Sequence, residues 1–377
     1  MFSLGYSAVC MAETGARPKV PAWRLRALRG LRAFFNPLLP DDYLELVNPL
    51  WSTQELRGRI ERVEPETGDA VTIHIKPGWE WSGHEPGQYL RVGVVVDGVH
   101  HWRAYSLTSD PGRPDGQISI TPKMYEPGAV SPFLVRHARP GAIVRLGGVE
   151  GTFVLPEPPP RRLLFLSAGS GITPIMSMLR HLARRPGGLD DTVHIHSARA
   201  TDDVIFAERL QALDAEHDGY RLHLRLTGTD GRFVAADHLD DLCPDWRERA
   251  TFACGPAALL DALTEHWADA GLSERLHMER FQPVIGGDAT AGAGGTIRFT
   301  RSGVDAESDG GTPILVAGEE AGADLPFGCR MGICHTCAGR LCSGQVRDLR
   351  TGEISGREGE TVRTCVSAPE GPVEIEL

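Results

Sequence analysis

Between residues 56 and 156 the chain runs in short apolar or alternating stretches: LRGRIERVEP, AVTIHIKP, QYLRVGVVV, HWRAYSLTS, GQISITPKM and AIVRLGGVE. Gly, Pro or Asp separates them. Period-two alternation with such breaks predicts a small antiparallel β-barrel or sandwich. PEPPP (156–160) reads as a linker, and the texture then changes. LLFLSA (163–168) reads as a buried strand and IMSMLRHLARR (175–185) as a helix. VHIHSA, a helix around 205–216, RLHLRLT, TFACG and the helical AALLDALTEHWADAG continue the alternation. Strands alternating with helices imply βαβ units and a parallel sheet, so residues 157–285 form an α/β domain. GGDATAGAGG (286–295) looks like a flexible linker, and residues 286–377 open on GTIRFTRSG and close on PVEIEL, two further strand candidates. Residues 1–55 form a basic extension punctuated by Pro. No internal repeat is visible.

Composition narrows the class. At about 150 residues per domain, 377 residues mean two or three domains. With 44 Gly and 27 Pro the chain is neither collagen-like nor wholly disordered. The formal charge of −11 argues against a nucleic-acid binder. No apolar run reaches the ~18–20 residues that span a bilayer. The start lacks the basic n-region and long apolar core of a secretory signal, which points to the cytoplasm. In a reducing compartment the eight cysteines read as thiols, and five of them fall between 329 and 365. Such clustering points to metal or redox chemistry.

CRMGICHTC (329–337) is C-x4-C-x2-C, and Cys365 lies 28 positions beyond Cys337. This is the plant-type spacing for a [2Fe–2S] cluster. Three thiolates sit on one loop and the fourth arrives from a distant strand. Gly328 and Gly332 let backbone N–H groups approach the sulfides. Zinc sites favour paired short spacings instead. Cys342 reads as a structural cysteine and His335 as a loop residue, since a Rieske centre needs a pair of histidines. Residues from about 295 to 377 resemble a plant-type ferredoxin domain, an α+β β-grasp fold. The resemblance implies Cys329, Cys334, Cys337 and Cys365 as cluster ligands and one-electron transfer as the chemistry.

RAYSLT (103–108) offers a planar aromatic for a flavin ring, a hydroxyl beside it and an Arg for pyrophosphate. Residues 56–156 resemble the flavin domain of the ferredoxin–NADP reductase family, which implies an antiparallel β-barrel. The resemblance implies Tyr105 stacked on the isoalloxazine, Ser106 near its N5 edge and Arg103 at the pyrophosphate, with Leu107 and Thr108 completing the motif. GAVSPFL (128–134) matches the family's G-x-x-S-x-x-L turn. There Gly128, Ser131 and the backbone N–H groups of Val130 and Ser131 would meet phosphate at a helix start. A related class binds FMN and carries an additional Arg at this loop; its absence here favours FAD.

GSGITP (169–174) lies between a strand and a helix. Gly169 and Gly171 allow close approach to a pyrophosphate, while Thr173 and Pro174 enter the helix. It resembles the family's nicotinamide loop. Cys254, Gly255 and Pro256 resemble its C-G-P, which implies Cys254 beside the nicotinamide C4. Glu279 and Phe281, in MERF, resemble its E-x-aromatic strand near the flavin–nicotinamide contact; an ordinary strand is the alternative. The implied catalytic set is Ser106, Cys254 and Glu279. Ser197, Arg199 and Arg232 favour NADPH, while Asp202 and Asp203 keep NADH open.

A hydride carries two electrons and the cluster accepts one, so a flavin must lie between them. The implied flow is NADPH to FAD to [2Fe–2S] to a protein acceptor. No terminal acceptor motif is visible, and His74, His100, His101, His194 and His196 sit in strand-like segments as structural residues. Residues 286–377 hold eight Arg against fourteen acids, suited to a basic partner surface. WRLRALRGLRAFF (23–35) can form a helix with Trp23, Ala27, Leu28, Leu31, Phe34 and Phe35 opposite Arg26, Arg29 and Arg32. Residues 22–35 would then lie on an anionic membrane at its inner face or pack on the flavin domain. NPLLPDDYLELVNPLW (36–51) resembles the leader of actinobacterial reductases serving membrane acyl-CoA desaturases, which makes a membrane fatty acyl-CoA desaturase the expected acceptor. The alternatives are a Rieske-type, steroid or diiron oxygenase as acceptor, or a non-catalytic redox carrier or sensor.

Overall fold

The computed structural model describes residues 47–52, 55–96, 98–126, 129–231, 235–281, 292–327, 332 and 335–377. The basic helix expected over 22–35 lies outside the described residues, as do Gly128, Arg232, Cys329 and Cys334.

The first domain is a six-stranded antiparallel sheet. Its strands are β1 (Arg57–Thr67), β2 (Ala70–Pro77), β3 (Tyr89–Val96), β4 (Val99–Ser106), β5 (Ile118–Ile120) and β6 (Ile143–Glu150), ordered β4-β3-β6-β1-β2-β5. The sheet curls until its edges meet. Leu107, just past β4, bridges Ile120, and Thr108 Oγ1 and Ser119 Oγ lie 2.7 Å apart. Closure removes the free edges and encloses Ile73, Ile75, Leu90, Val92, Ile118 and Ile120. Helix α1 (Val130–His137) packs on β3 and β4 and buries Val130, Pro132 and Leu134.

The second domain is a five-stranded parallel sheet of β7 (Leu163–Ala168), β8 (Thr192–Ala198), β9 (Tyr220–Leu226), β10 (Ala250–Cys254) and β11 (Leu276–Glu279). Helices α2 (Ile172–Ala183), α3 (Ala207–Glu216), α4 (Ala235–Leu242) and α5 (Ala257–Asp269) connect and cover it. Helix α2 begins three residues before the expected start, because Pro174 sits in its first turn, where no N–H is needed. The strand order is β11-β10-β7-β8-β9. The chain builds outward from β7 on one side, then returns to place β10 on the other. The reversal leaves a crevice at the carboxyl ends of β7 and β10, where open α/β sheets bind nucleotides.

The third domain holds β12 (Gly295–Phe299), β13 (Asp305–Ser308), α6 (Ile314–Glu320), β14 (Ala338–Ser343), β15 (Val346–Asp348), β16 (Ile354–Ser355), β17 (Thr361–Arg363), β18 (Ser367–Pro369) and β19 (Val373–Glu376). The main sheet runs β13-β12-β19-β14-β17, with β12 and β19 parallel at its centre. The first and last strands of the domain therefore pair. Ile297, Phe299, Ile314, Leu315, Leu341 and Ile375 fill the core between sheet and helix.

Barrel and parallel sheet are not independent bodies. Ala70, Phe153 and Leu155 join one core with α2 residues Ile175, Met178, Leu179 and Leu182. Polar bonds close the seam. Arg180 donates to Thr108 O at 2.7 Å and stacks 5.1 Å over the Phe206 ring. Ser177 donates to Ser109 O at 2.7 Å, and the Phe206 amide donates to Glu66 Oε2 at 3.0 Å. Burial disfavours the Asp110 charge, yet His181, the Gly112 amide and Arg184 outweigh it and hold the carboxyl below its usual range. Arg180→Ala removes a charged hydrogen bond and a ring contact from a dry seam. Unfolding in urea should show a loss of about 2–3 kcal/mol, with the near-ultraviolet signals of both domains shifting together.

Candidate functional site

Three polar side chains from three elements converge at the crevice. Ser106 ends β4, Cys254 ends β10, and Glu279 ends β11 in register with Cys254. Ser106 and Cys254 are buried and Glu279 is half-buried. Burial pushes the Cys254 thiol well up, with the Glu279 charge adding to it, so the sulfur stays protonated. Burial also pushes Glu279 up to about 8, and the nearby Ser106 hydroxyl only tempers that. Neither Ser106 Oγ nor Glu279 Oε2 completes a hydrogen bond of good geometry among the described residues, and the same holds for Tyr105 OH. Buried polar atoms left open in this way are rare in folded proteins. An isoalloxazine edge, with its own donors and acceptors, fits them.

The rest of the flavin motif follows the strand. Tyr105 pairs with Leu90 and Arg103 with Val92, so alternation puts Tyr105 and Arg103 on one face of β4. Helix α1 starts at Val130 after Ala129, which contributes no side-chain cap. Its first amides therefore suit a phosphate. Ser131 Oγ accepts from the Tyr125 amide at 3.1 Å, which orders the turn and leaves the hydroxyl proton free to donate.

Across the crevice, the residue-169 turn follows β7. Gly169 has φ +53°, a left-handed conformation, and a Cβ on Gly171 would come 2.1 Å from Cys254 O. The two strand ends thus touch backbone to backbone at the reversal point. Thr173 Oγ1 donates to Ser170 O at 2.9 Å and fixes the turn. Gly255 and Pro256 lead from β10 into α5, with Pro256 at its N-cap. Phe281 lies two residues past the end of β11 and packs on the α2 core.

Ser197 lies at the nucleotide end of β8, and Arg199 stands exposed just beyond. Arg225 was not singled out from sequence, because an Arg in an alternating strand reads as an outward position. It lies in register with Ser197 and donates to Asp230 O at 3.0 Å. Asp202 and Asp203 sit on a short turn over residues 201–203 of the same rim.

In the third domain Cys337 and Cys365 are both buried, with sulfurs 3.1 Å apart. The Gly332 amide donates to Cys365 Sγ at 3.2 Å. Gly332 has φ +73°, and a Cβ there would lie 2.7 Å from Val366 Cγ2, so both conformation and space require glycine. Thr364 Oγ1 donates to Cys337 O at 2.9 Å. Two converging thiols with an amide aimed at sulfur suit a thiolate-held cluster. Cys342 turns its thiol to Arg340 O, 3.8 Å away on its own strand. Phe327, two positions before Cys329, lies under the Arg103 guanidinium at 6.0 Å. The strand that carries the flavin motif thus meets the segment leading into the cluster loop.

Three family models match in this order along the chain: an oxidoreductase FAD-binding domain over 79–155, an oxidoreductase NAD-binding domain over 165–265, and a 2Fe-2S iron–sulfur cluster binding domain over 297–370. An NADPH oxidoreductase of Mycobacterium tuberculosis is 50% identical over 361 residues, 95% of this chain and 93% of the relative. The stachydrine N-demethylase reductase subunit Stc4 of Rhizobium meliloti is 30% identical, over 86% of this chain and 97% of the relative. The solved structure of phthalate dioxygenase reductase matches in fold, with a TM-score of 0.55 at 23% identity over 85% of this chain and 97% of that one.

A carboxyl raised to about 8 binds its proton more tightly when folded than when unfolded. Its contribution to stability is complete at low pH and is lost as pH rises from about 4.5 through 8. Glu279→Gln mimics the protonated form. In flavin-free protein it should remove that part of the fall in melting temperature between pH 5.5 and 8.5; parallel melting curves for the two proteins would show that Glu279 is not raised.

Proposed function

Because this chain belongs to the family of oxidoreductases that join FAD-binding, NAD-binding and 2Fe-2S domains, and is an NAD(P)H-dependent electron-transfer reductase, we propose that it draws electrons from NADPH and feeds an oxygen-activating protein partner. The observation that carries the hydride step is the convergence of Ser106, Cys254 and Glu279 at the crevice. Flavin bound there supplies the exchange between two-electron and one-electron steps. The protein's own part is to exclude water and hold neutral groups around it. Cys254 stays a thiol and Glu279 keeps its proton near neutral pH, so neither sets a negative charge against an incoming hydride. Glu279, with Ser106 beside it, is placed to hold a proton for the flavin edge.

For the coenzyme, Arg199 and Arg225 flank Ser197 at the adenosine end of the crevice, which suits a 2′-phosphate. The name of the M. tuberculosis relative supports the same choice. Cys337 and Cys365, with Cys329 and Cys334 from the same motif, hold the cluster. Relatives named as a demethylase reductase subunit and, in Pseudomonas aeruginosa, as a glycine betaine monooxygenase reductase subunit support an oxygenase-type acceptor. Among such acceptors the leader over 36–51 favours a membrane fatty acyl-CoA desaturase, with residues 22–35 holding the reductase at the membrane.

The purified protein should reduce ferricyanide and cytochrome c with a kcat/KM at least tenfold higher for NADPH than for NADH. Cys337→Ser should abolish the cluster spectrum and the cytochrome c rate while leaving the NADPH–ferricyanide rate within about twofold. Preference for NADH would refute the coenzyme assignment, and loss of both activities would refute separate flavin and cluster stations. Deleting residues 1–50 should abolish flotation with anionic vesicles; retained flotation would refute the membrane assignment.

A further inference from the structure

Beside the convergent site lies a second group of polar side chains that the hydride step does not use. Ser167, near the end of β7, is in register with Cys254 on one side and His196 on the other. Cys254 is in register with Glu279. Residues paired across parallel strands point to the same face, so Glu279, Cys254, Ser167 and His196 form one row along the nucleotide edge of the sheet. Ser167 Oγ lies 2.7 Å from His196 Nδ1 and 2.9 Å from His194 Nε2, and His194 Nδ1 lies 2.8 Å from Tyr220 OH. Ser167 and Tyr220 are 2% exposed and both histidines 0%.

Four polar side chains in a dry core lower stability where bonds are left unmade; each of these four is bonded, and of their ring nitrogens His196 Nε2 has no partner among the described residues. Burial keeps both imidazoles neutral, so each ring has one nitrogen that donates and one that accepts. A single hydroxyl between two ring nitrogens donates to one and accepts from the other. Ser167 thereby couples the two tautomers and holds both ring orientations, and the histidines in turn hold the end of β7. There is no slack beyond it. The residue-169 turn begins two positions later, and Gly171 rests against Cys254 O. A shift at Ser167 passes directly into the turn and into Cys254.

We propose that Ser167, clasped by His194 and His196, is a positioning residue of the hydride-transfer site: it sets the spacing between the residue-169 turn and Cys254, and so the reach of the nicotinamide ring toward the flavin. The proposal rests on the hydride reading above. It demands that loss of the hydroxyl disturb the chemical step more than coenzyme binding, because the turn keeps its own internal conformation while its register to Cys254 slackens.

The test uses the full-length holoprotein in rapid mixing with NADPH. In Ser167→Ala the limiting rate of flavin reduction should fall at least tenfold, with the apparent Kd for NADPH within threefold. Ser167→Thr, which restores the hydroxyl, should recover the rate to within threefold of the native protein. Ser167→Cys keeps the volume with a far weaker hydrogen bond and should remain at least fivefold slow, so a poorly folding alanine variant does not stall the test. In flavin-free protein labelled with ¹⁵N-histidine, two buried rings should show fixed tautomers that average in the alanine variant. Native flavin-reduction rates in Ser167→Ala or Ser167→Cys, even with a lowered melting temperature, would overturn the positioning role. A native protein whose flavin NADPH does not reduce would instead overturn the hydride reading, which separates the two failures.

Discussion

Helix α2 is buried along nearly its whole length, from Ile172 to Leu182, and it is buried against two domains at once. One side covers the parallel sheet at Phe165 and Phe252. The other meets Ala70, Phe153 and Leu155 of the barrel and its closing segment. An amphipathic surface helix has one apolar stripe; this helix has almost no outward face until Arg180, and Arg180 is itself spent on Thr108 O and the Phe206 ring. The seam sets the distance between β4, which carries Tyr105 and Ser106, and β10, which carries Cys254. Both cofactor half-sites are therefore held in one packed body, the arrangement in which reacting atoms can be kept at short range.

Within that body, charge is managed by burial. Glu279 and Cys254 are pushed toward their protonated forms by loss of water. Open hydrogen-bonding atoms on Tyr105, Ser106 and Glu279 keep the pocket polar without making it ionic. Asp110, with His181 Nδ1 at 3.1 Å and Arg184 at 3.0 Å, lies on the seam and ties its two sides together.

The electron exit is built differently. The third domain has its own core and meets the flavin strand through Phe327 and Arg103. One guanidinium thus belongs both to the RAYSLT strand and to the approach to the cysteine loop. Over residues 286–377 acids outnumber arginines fourteen to eight, so the domain carries a net negative charge.

Much of this was legible in the chain itself. Period-two runs marked the six barrel strands, and the strand–helix alternation marked the parallel sheet, because burial of one face imposes those periods. C-x4-C-x2-C with Cys365 marked the cluster, because the spacing is that of the loop that wraps it. RAYSLT, GSGITP and C-G-P pointed to a flavin domain and a nicotinamide domain, where the FAD-binding and NAD-binding family models match. Tertiary structure decided what no local pattern encodes. It put Glu279 beside Cys254 and Ser106, and its burial raised a carboxyl that on an isolated strand would be ionised. It turned His194 and His196, unremarkable in an alternating strand, into a clasp on Ser167. It set Arg225 level with Ser197 and Phe327 under Arg103. Local sequence fixes periods and turn chemistry because those depend on neighbours along the chain. Register between strands, and the desolvation that register produces, depend on neighbours in space.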